Sequence, residues 1–312
     1  MRPCVATVGF FDGVHRGHRY LIRHITETAR SMGLESTVVT FDRHPRQVLH
    51  SDFVPQLLST AEEKLALLSQ TGADNCVVLP FDGSMAAMSA HDFMGSILRD
   101  RLKVKILVTG YDNRFGHDRT EGFGEYVAYG HELGIDVRQW QPLVLDGVNI
   151  SSSVTRTLLQ AGEAEAAARC LGYPYTIVGK VVEGEHIGTG MGFPTANLQP
   201  ADSHKLVPAA GVYAVRVRLA GAGQLLPGMT NIGCRPTFGG GKTTIETHIL
   251  CFGGNIYGEQ MGVSFISRLR AEKKFRSSAE LTRQLWKDMR EAESLLTEDA
   301  ENRNESSQRD GC

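Results

Sequence analysis

Two histidines near the start of the chain, His15 and His18, have the residue type and spacing of a phosphate-binding pair. They lie in the segment GFFDGVHRGH, three residues apart, with Gly17 between them. The segment follows an apolar run and precedes a helical pattern, which places the imidazoles on the first turn of a helix. Helix starts have unpaired N–H groups and the positive end of the helix dipole, and both attract anions. Two imidazoles there would stabilise the charge on a departing pyrophosphate. A surface pair and half of a metal site are the alternatives, and the strand–loop–helix context favours the phosphate site.

A second candidate for phosphate binding is the segment ISSSVTR, residues 150–156. A serine run can cap a helix and present its amides to a phosphate, and Arg156 would add a fixed positive charge there. Taken alone, the segment is better explained as an N-cap followed by an exposed arginine, and the histidine segment is what favours the phosphate site.

A glycine-rich stretch in the second half, GEHIGTGMGFPTANL, forms a third candidate. Glycine-rich turns can wrap phosphates with their N–H groups. Thr195 and Asn197 follow with a hydroxyl and a carbonyl oxygen, which suit a hard cation such as Mg²⁺. A β-turn followed by an edge strand is the alternative for this stretch.

A carboxylate further along, Glu246, lies in the strand pattern IETHIL. Strand alternation places it on the face opposite Ile245 and Thr247. Without other information, a solvated outward-facing side chain is the default for such a residue.

The elements that position these residues differ between the two halves of the chain. In the first half, apolar runs rich in valine and isoleucine alternate with helical patterns; the runs are VATVGF, STVVTF, NCVVLPF and KILVTG. Such alternation predicts an open α/β sheet of parallel strands. Ligands of these sheets bind at the carboxyl ends of the strands. Thr60 and Glu63 have the spacing of a capping box, and Gly33 is typical of a helix C-terminus.

The pattern changes near residue 172, after an alanine-rich helical stretch. From there, β-branched segments are separated by glycine-rich turns, which predicts an antiparallel sheet or small barrel. A helix from about Ser278 to Leu296 follows. We therefore expect an α/β domain over residues 1–172, a barrel domain over 173–296, and a polar, disordered tail over 297–312.

The overall composition restricts the class of protein. The chain has 312 residues, of which 41% are hydrophobic and 22% charged, with a formal net charge of -2. These values predict a soluble protein and argue against non-specific nucleic-acid binding. No apolar run reaches the roughly 20 residues needed to cross a bilayer, and no secretory signal is evident, so we expect a cytoplasmic protein without membrane partners. The cysteines form no C-x-x-C pair and are expected to be reduced thiols; they are Cys4, Cys76, Cys170, Cys234, Cys251 and Cys312.

The first segment resembles the signature of the HxGH nucleotidyltransferase superfamily, in the G-x-F-D-G-x-H-x-G-H form of bacterial FAD synthetases. Those enzymes are bifunctional riboflavin kinase/FMN adenylyltransferases. TFDRHP and ISSSVTR are similar to their T-F-x-P-H-P and I-S-S-T-x-x-R, and GYDNRFG to their flavin-domain motif. GFPTAN, GMTNIGCRPTF, IETHIL and LRAEKKF are similar to their kinase motifs, so the resemblance extends to about residue 292. The chain departs from the family patterns at Arg43, Asn113, Ser153 and Thr189.

The resemblance implies a Rossmann-like adenylyltransferase domain followed by a riboflavin kinase β-barrel with a terminal helix. It implies phosphorylation of riboflavin to FMN, then adenylylation of FMN to FAD with release of pyrophosphate. ATP is the co-substrate of both steps and Mg²⁺ the expected metal. Thr189 replaces an arginine of the kinase motif, and Lys180 is a candidate to supply that charge.

The resemblance also implies roles for individual residues. The catalytic residues would be His15, His18, Arg156 and Glu246, with Glu246 as general base on the ribityl 5′-hydroxyl. The nucleotide-binding residues would be Gly9, Phe10, Asp12, Gly17, Ser152, Gly190 and Gly192. The flavin-binding residues would be His44, Asp112 and Arg270, and the metal ligands Thr195 and Asn197.

Two other functions are compatible with parts of the pattern. The departures at Asn113 and Thr189 leave open a nucleotidyltransferase for another phosphorylated substrate, with a barrel that only binds. A flavin-binding regulator without catalysis is a third hypothesis, against which the intact His15 and His18 argue.

Overall fold

The computed structural model describes residues 1–49, 54–111, 114–117, 121–184, 188–221, 223–235 and 242–309. The chain divides into two compact units, Met1–Val154 and Thr155–Cys312. The division falls within a helix, Ser152–Ala161.

The first unit is built on a five-stranded parallel sheet. Its strands are Cys4–Val8 (β1), Glu35–Phe41 (β2), Asn75–Leu79 (β3), Val104–Gly110 (β4) and Asp136–Trp140 (β5). Their order is β3-β2-β1-β4-β5, and all four pairings are parallel. The four strands expected from the sequence are confirmed. The edge strand β5 was not predicted, because its charged residues Asp136 and Arg138 interrupt any continuous apolar run.

The helices of this unit cover the sheet. They are Arg16–Met32 (α1), Pro45–Leu49 (α2), Ala61–Ser69 (α3), Gly83–Ala86 (α4), Ala90–Asp92 (α5, continued in π-helical geometry by Phe93–Arg101) and Phe123–Leu133 (α6). Gly33 ends α1 with φ of 66°, as glycine allows. The Thr60–Glu63 capping box is formed: each side chain accepts a hydrogen bond from the other residue's N–H. A two-stranded ribbon, Val144–Leu145 (β6) and Val148–Asn149 (β7), precedes the serine run.

The central strand β1 is the point where the strand order reverses. It pairs with β2 on one side and β4 on the other, and all five of its residues are buried. The crevice at the carboxyl end of such a strand is the usual ligand site of open α/β sheets. The chain leaves β1 at Val8 and enters the histidine segment directly.

The second unit contains a closed barrel with helices before and after it. Its strands are Thr176–Val182 (β8), Ala196–Pro200 (β9), Gly211–Leu219 (β10), Leu226–Arg235 (β11), Lys242–Ile249 (β12) and Gln260–Arg270 (β13). They close in the order β10-β11-β12-β9-β8-β13, so the expected small barrel is confirmed. The helices are Ser152–Ala161 (α7, which contains the division between the units), Ala164–Leu171 (α8) and Ser278–Arg309 (α9).

The final helix α9 is longer than expected. The sequence predicted its end at Leu296 and a disordered segment after it, whereas the helix runs to Arg309. No glycine or proline interrupts it, and the Thr297 hydroxyl donates to the Glu293 carbonyl at 2.8 Å. Arg216 of the barrel donates to the carbonyl of Leu296 and forms an ion pair with Asp299 at 3.5 Å. These contacts hold the helix against the barrel as far as Asp299.

Among the described residues, no helix combines the length and the apolar character that crossing a membrane requires.

Candidate active sites

The histidine segment leaves β1 through a tight turn. The N–H of Gly9 donates to the carbonyl of Val39 on the neighbouring strand at 3.0 Å. Phe11 and Gly13 then take positive φ angles of 56° and 75°, and the chain enters α1. The positive φ at Gly13 is readily adopted only by glycine, so the turn depends on that residue.

His15 is the N-cap of α1, and its ring stacks on that of His18. The Nδ1 atom of His15 accepts a hydrogen bond from the N–H of His18 at 3.2 Å, and the ring centroids are 3.5 Å apart. Because Nδ1 is the acceptor, a neutral His15 carries its proton on Nε2. The capping bond therefore fixes the tautomer that can donate to an anionic oxygen. His15 is 4% exposed, and His18 is half-buried.

The serine run lies against the start of α1. A Cβ atom at Gly17 would be 2.9 Å from the carbonyl oxygen of Ile150, so this close approach requires glycine. The hydroxyl of Ser152 donates to the carbonyl of Asp12 at 3.0 Å. Two motifs about 140 residues apart in the sequence thus meet at one end of the sheet.

The N-terminal end of α7 has the capping arrangement expected from the sequence. The Ser151 hydroxyl accepts from the N–H of Val154 at 3.3 Å. Arg156 is half-buried and follows Ser152 by one turn of the same helix.

The carboxylate of Asp12 is buried and supports the loop before α3. It accepts hydrogen bonds from the N–H groups of Leu58 and Ser59, each at 3.0 Å. The Ser59 hydroxyl in turn accepts from the N–H of Gly13 at 2.9 Å. No sequence pattern indicated this contact, and the nucleotide-binding role of Asp12 stays a prediction.

The ends of β1 and β2 bring Phe10 and His44 together. Their rings meet edge to face, with centroids 4.8 Å apart. His44 Nδ1 accepts from the N–H of Arg46 at 3.1 Å, which fixes the orientation of the imidazole. A predicted nucleotide-binding residue and a predicted flavin-binding residue are therefore in contact, whereas Asp112 lies outside the described residues.

In the second unit, three polar side chains form a row across neighbouring strands. Glu246 on β12 is directly opposite Asn231 on β11 and Asn197 on β9. Residues paired in this way share a face of the sheet and lie about 5 Å apart. Glu246 is half-buried, whereas its neighbours Ile245 and Thr247 are buried, so the row faces outward. Asn231 was not predicted, although its position between buried Thr230 and Ile232 follows the same alternation.

The glycine-rich turn folds closely around the predicted metal ligands. A Cβ at Gly184 would be 1.9 Å from Asn197 Nδ2, and one at Gly188 would be 2.2 Å from the carbonyl oxygen of Phe193. Gly190 lies in the 3₁₀ turn Thr189–Met191, and Gly192 follows it with φ of 82°. The amide of Asn197 therefore lies so close to the backbone at position 184 that only glycine fits there.

A hydrogen bond from His248 supports the segment that carries Thr195. His248 Nδ1 is 2.8 Å from the carbonyl oxygen of Pro194 and donates to it, and its ring contacts that of Phe193.

The oxygens of Thr195 and Asn197, with the carboxylate of Glu246 opposite, form a donor set that suits Mg²⁺. Within the described part of the chain, no group of three or more His, Cys, Asp or Glu side chains is arranged to hold a metal ion.

Comparison with known proteins decides the family. The family model described as FAD synthetase matches residues 1–154, and that described as riboflavin kinase matches residues 171–296. The chain is 38% identical to the bifunctional riboflavin kinase/FMN adenylyltransferase of Escherichia coli K12, over 91% of this chain and 90% of that one. The corresponding identities are 37% for the Pseudomonas fluorescens protein (96% and 95% covered) and 35% for the Bacillus subtilis protein (92% and 91%). This chain belongs to the bifunctional riboflavin kinase/FMN adenylyltransferase family.

A solved structure agrees with the fold of this family member. A protein from Streptococcus pneumoniae, described as a macrolide-efflux protein, is 30% identical and matches with a TM-score of 0.84. The match covers 92% of this chain and 93% of that one. The expected order of an α/β unit followed by a barrel is confirmed.

In the riboflavin kinase unit, Arg270 fixes the last helix to the barrel. Its Nε and Nη2 atoms donate to Asp288 of α9 at 2.9 and 2.8 Å, and the Asp288 side chain is 1% exposed. Gln284 Nε2 donates to the same carboxylate at 2.7 Å. The geometry gives Arg270 a structural role, and its flavin-binding role stays a prediction.

Lys180, the candidate replacement for the missing arginine, is exposed on β8. It is two residues before Val182, which pairs with Asn197. Residues two apart on a strand share a face, so Lys180 lies on the same outer face as the polar row.

Proposed function

We propose that the two units carry out consecutive ATP-dependent steps of flavin cofactor synthesis. The barrel unit phosphorylates riboflavin to FMN, and the α/β unit adenylylates FMN to FAD and releases pyrophosphate. The observation that carries the proposal is the stacked His15–His18 pair, which lies after β1, where the strand order of the sheet reverses. In the same chain, the barrel register places Glu246 opposite Asn197.

In the α/β unit, an oxygen of the FMN phosphate attacks the α-phosphorus of ATP, and pyrophosphate leaves. His15 donates from Nε2 to the oxygens of the leaving group, and His18 and the first amides of α1 add further donors. Ser152 and Arg156 bind the triphosphate from α7. Because charge stabilisation and positioning suffice for this transfer, no covalent enzyme intermediate is needed.

In the barrel unit, Glu246 removes the proton from the ribityl 5′-hydroxyl, and the resulting oxygen attacks the γ-phosphorus of ATP. The proton stays on the Glu246 carboxyl, and ADP leaves. Thr195 and Asn197 would hold Mg²⁺, which when bound neutralises charge on the phosphate oxygens. Asn231 lies opposite Glu246 on the side away from Asn197.

The partners of the enzyme are the small molecules ATP, riboflavin and FMN. The cysteines Cys4, Cys76, Cys170 and Cys251 are not joined in disulfides. Their state and the use of ATP support a cytoplasmic location.

The test follows labelled riboflavin through both steps. We expect purified protein with ATP and Mg²⁺ to form FMN first and FAD second, with the γ-phosphate of ATP in FMN and the adenylyl group in FAD. A parallel reaction with a chelator should form neither product. The absence of phosphorylated flavin from labelled riboflavin would refute the bifunctional assignment. If FAD formed only when FMN was supplied, the barrel would be a binding module.

A further inference from the structure

A buried lysine lies beneath the adenylyl-transfer site. Lys64 of α3 is 2% exposed, and its ammonium donates to the carbonyl oxygen of Phe41 at 2.7 Å. Phe41 is the last residue of β2, next to the loop that carries His44. Lysine is almost never fully buried without a partner, so this position requires an explanation.

The same ammonium contacts the end of β1. Lys64 Nζ is 4.0 Å from the centroid of the Phe10 ring, within the range of a cation–π interaction. The Phe10 ring then meets the His44 imidazole edge to face at 4.8 Å. The Lys64 ammonium therefore contacts the ends of both β1 and β2. The segments after these strands carry the predicted nucleotide-binding residue Phe10 and the predicted flavin-binding residue His44.

Lys64 loses its positive charge within the pH range in which enzymes are assayed. Burial lowers the pKa of Lys64 from 10.5 to about 8, and the carboxylates of Asp12 and Asp42 oppose this shift, as does Cys76 once its thiol ionises. Burial raises the pKa of that thiol, so it is uncharged at neutral pH. The three groups come from the loop after β1, from β3 and from the residue after β2, and His44 lies beyond the Phe10 ring. At neutral pH the ammonium form predominates, and above about pH 8 the neutral amine replaces it.

We propose that Lys64 is a positioning residue for adenylyl transfer, whose buried ammonium holds Phe10 and, through that ring, His44 in the arrangement that receives FMN. This inference rests on the proposed function of the α/β unit. Loss of the charge removes the cation–π interaction and weakens the bond to Phe41. The two strand ends then lose their common support, while His15 and His18 are untouched.

The experiment measures FMN-to-FAD conversion with FMN supplied, from about pH 6.5 to about pH 9.5. It compares the wild type with Lys64→Met, Lys64→Arg and the matched control Lys105→Met, because Lys105 is exposed on β4. At neutral pH we expect Lys64→Met to raise the KM for FMN about tenfold, with a smaller change in kcat. Lys64→Arg should restore part of the affinity, and Lys105→Met should match the wild type.

The pH profile separates positioning from a general structural role. The KM of the wild type should rise with an inflection near pH 8, and the KM of Lys64→Met should be high and nearly constant. Riboflavin kinase activity of the same preparations and thermal unfolding report whether each variant is folded. If Lys64→Met does not fold, the wild-type profile remains the test, and a KM without this inflection would overturn the proposal.

Two further outcomes are distinguishable. A wild type without adenylyl transfer would refute the proposed function itself. If the wild type is active and folded Lys64→Met has an unchanged KM for FMN, only the role of Lys64 is overturned. The same holds if Lys64→Met has a kcat that is lowered equally at every pH.

Discussion

The two proposed active sites of this chain position their residues by different means. In the α/β unit, the site lies in loops at the ends of parallel strands, and its side chains form the local structure themselves. His15 caps α1, Asp12 binds the loop before α3, and Lys64 bridges two strand ends. In the barrel, Asn231, Glu246 and Asn197 are placed by the backbone register of three strands.

This difference predicts how chemistry and stability are coupled. A loop side chain that makes a capping or bridging hydrogen bond contributes to catalysis and to stability. Its replacement should therefore lower both the activity and the free energy of unfolding. A side chain on the outer face of a barrel strand is held by ladder bonds that remain when it is replaced. We therefore expect a loss of activity to be separable from a loss of stability at Glu246 in the barrel, but not at His15, which caps α1.

The largest effect is expected for Glu246→Gln. Because the amide cannot accept the 5′-hydroxyl proton, FMN formation should fall by a factor of about 10²–10⁴, with little change in unfolding temperature. Conversion of supplied FMN to FAD should persist. The matched control is Glu259→Gln, at an exposed position before β13. Loss of both activities, or of thermal stability, would contradict the separation.

The next effect concerns the histidine pair. His15→Ala and His18→Ala should each lower adenylyl transfer by a factor of about 10²–10³, because donors to the leaving pyrophosphate are lost. Only His15→Ala should also lower the free energy of unfolding, by about 1 kcal/mol, because the N-cap is removed. Kinetics and denaturant unfolding measure the two effects. His131→Ala, an exposed histidine of α6, is the control. If the two variants had equal free energies of unfolding, the expected coupling of activity to stability at His15 would be contradicted.

The Arg270–Asp288 pair sets a limit to the comparison, because it is a side-chain anchor within the barrel unit. Asp288→Asn leaves a partly buried guanidinium without its counter-charge and should lower the free energy of unfolding by about 3 kcal/mol. If Arg270 acts only through α9, the KM for riboflavin should stay near that of the wild type wherever the protein is folded. Denaturant unfolding and kinase assays test this, with exposed Glu291→Gln as the control. A large rise in KM with unchanged stability would favour flavin binding by Arg270.

The smallest effect is expected for His248→Phe. The substitution keeps an aromatic ring beside Phe193 but removes the hydrogen bond to the Pro194 carbonyl, which precedes Thr195. The KM for Mg²⁺–ATP in the kinase reaction should rise about fivefold, as expected for loss of one hydrogen bond. Titration of Mg²⁺ at fixed riboflavin measures it, and His204→Phe, away from the row, is the control. An unchanged KM would mean that the glycine-rich turn alone positions Thr195.

Much of the architecture was predictable because it depends on neighbours in sequence. The capping box at Thr60, the C-terminal glycine of α1 and the turn at His15 all depend on residues within four positions of one another. Strand β5 was missed because its pairing with β4, not a local apolar pattern, positions it. Contacts between residues distant in sequence also hold α9 against the barrel. The contact of Arg216 with Leu296 joins residues 80 positions apart.

The order of the elements, the change from an α/β half to a barrel half and the residue types at both proposed sites follow from the amino-acid sequence alone. Periodicity, capping and turn chemistry are local, and residues a few positions apart express them without knowledge of the fold. Three contacts are seen only in the folded chain: Ser152 donates to Asp12, Glu246 lies opposite Asn231, and the Lys64 ammonium lies against the Phe10 ring. Strand order, barrel register and burial select these partners, because they bring together side chains that no local interaction relates.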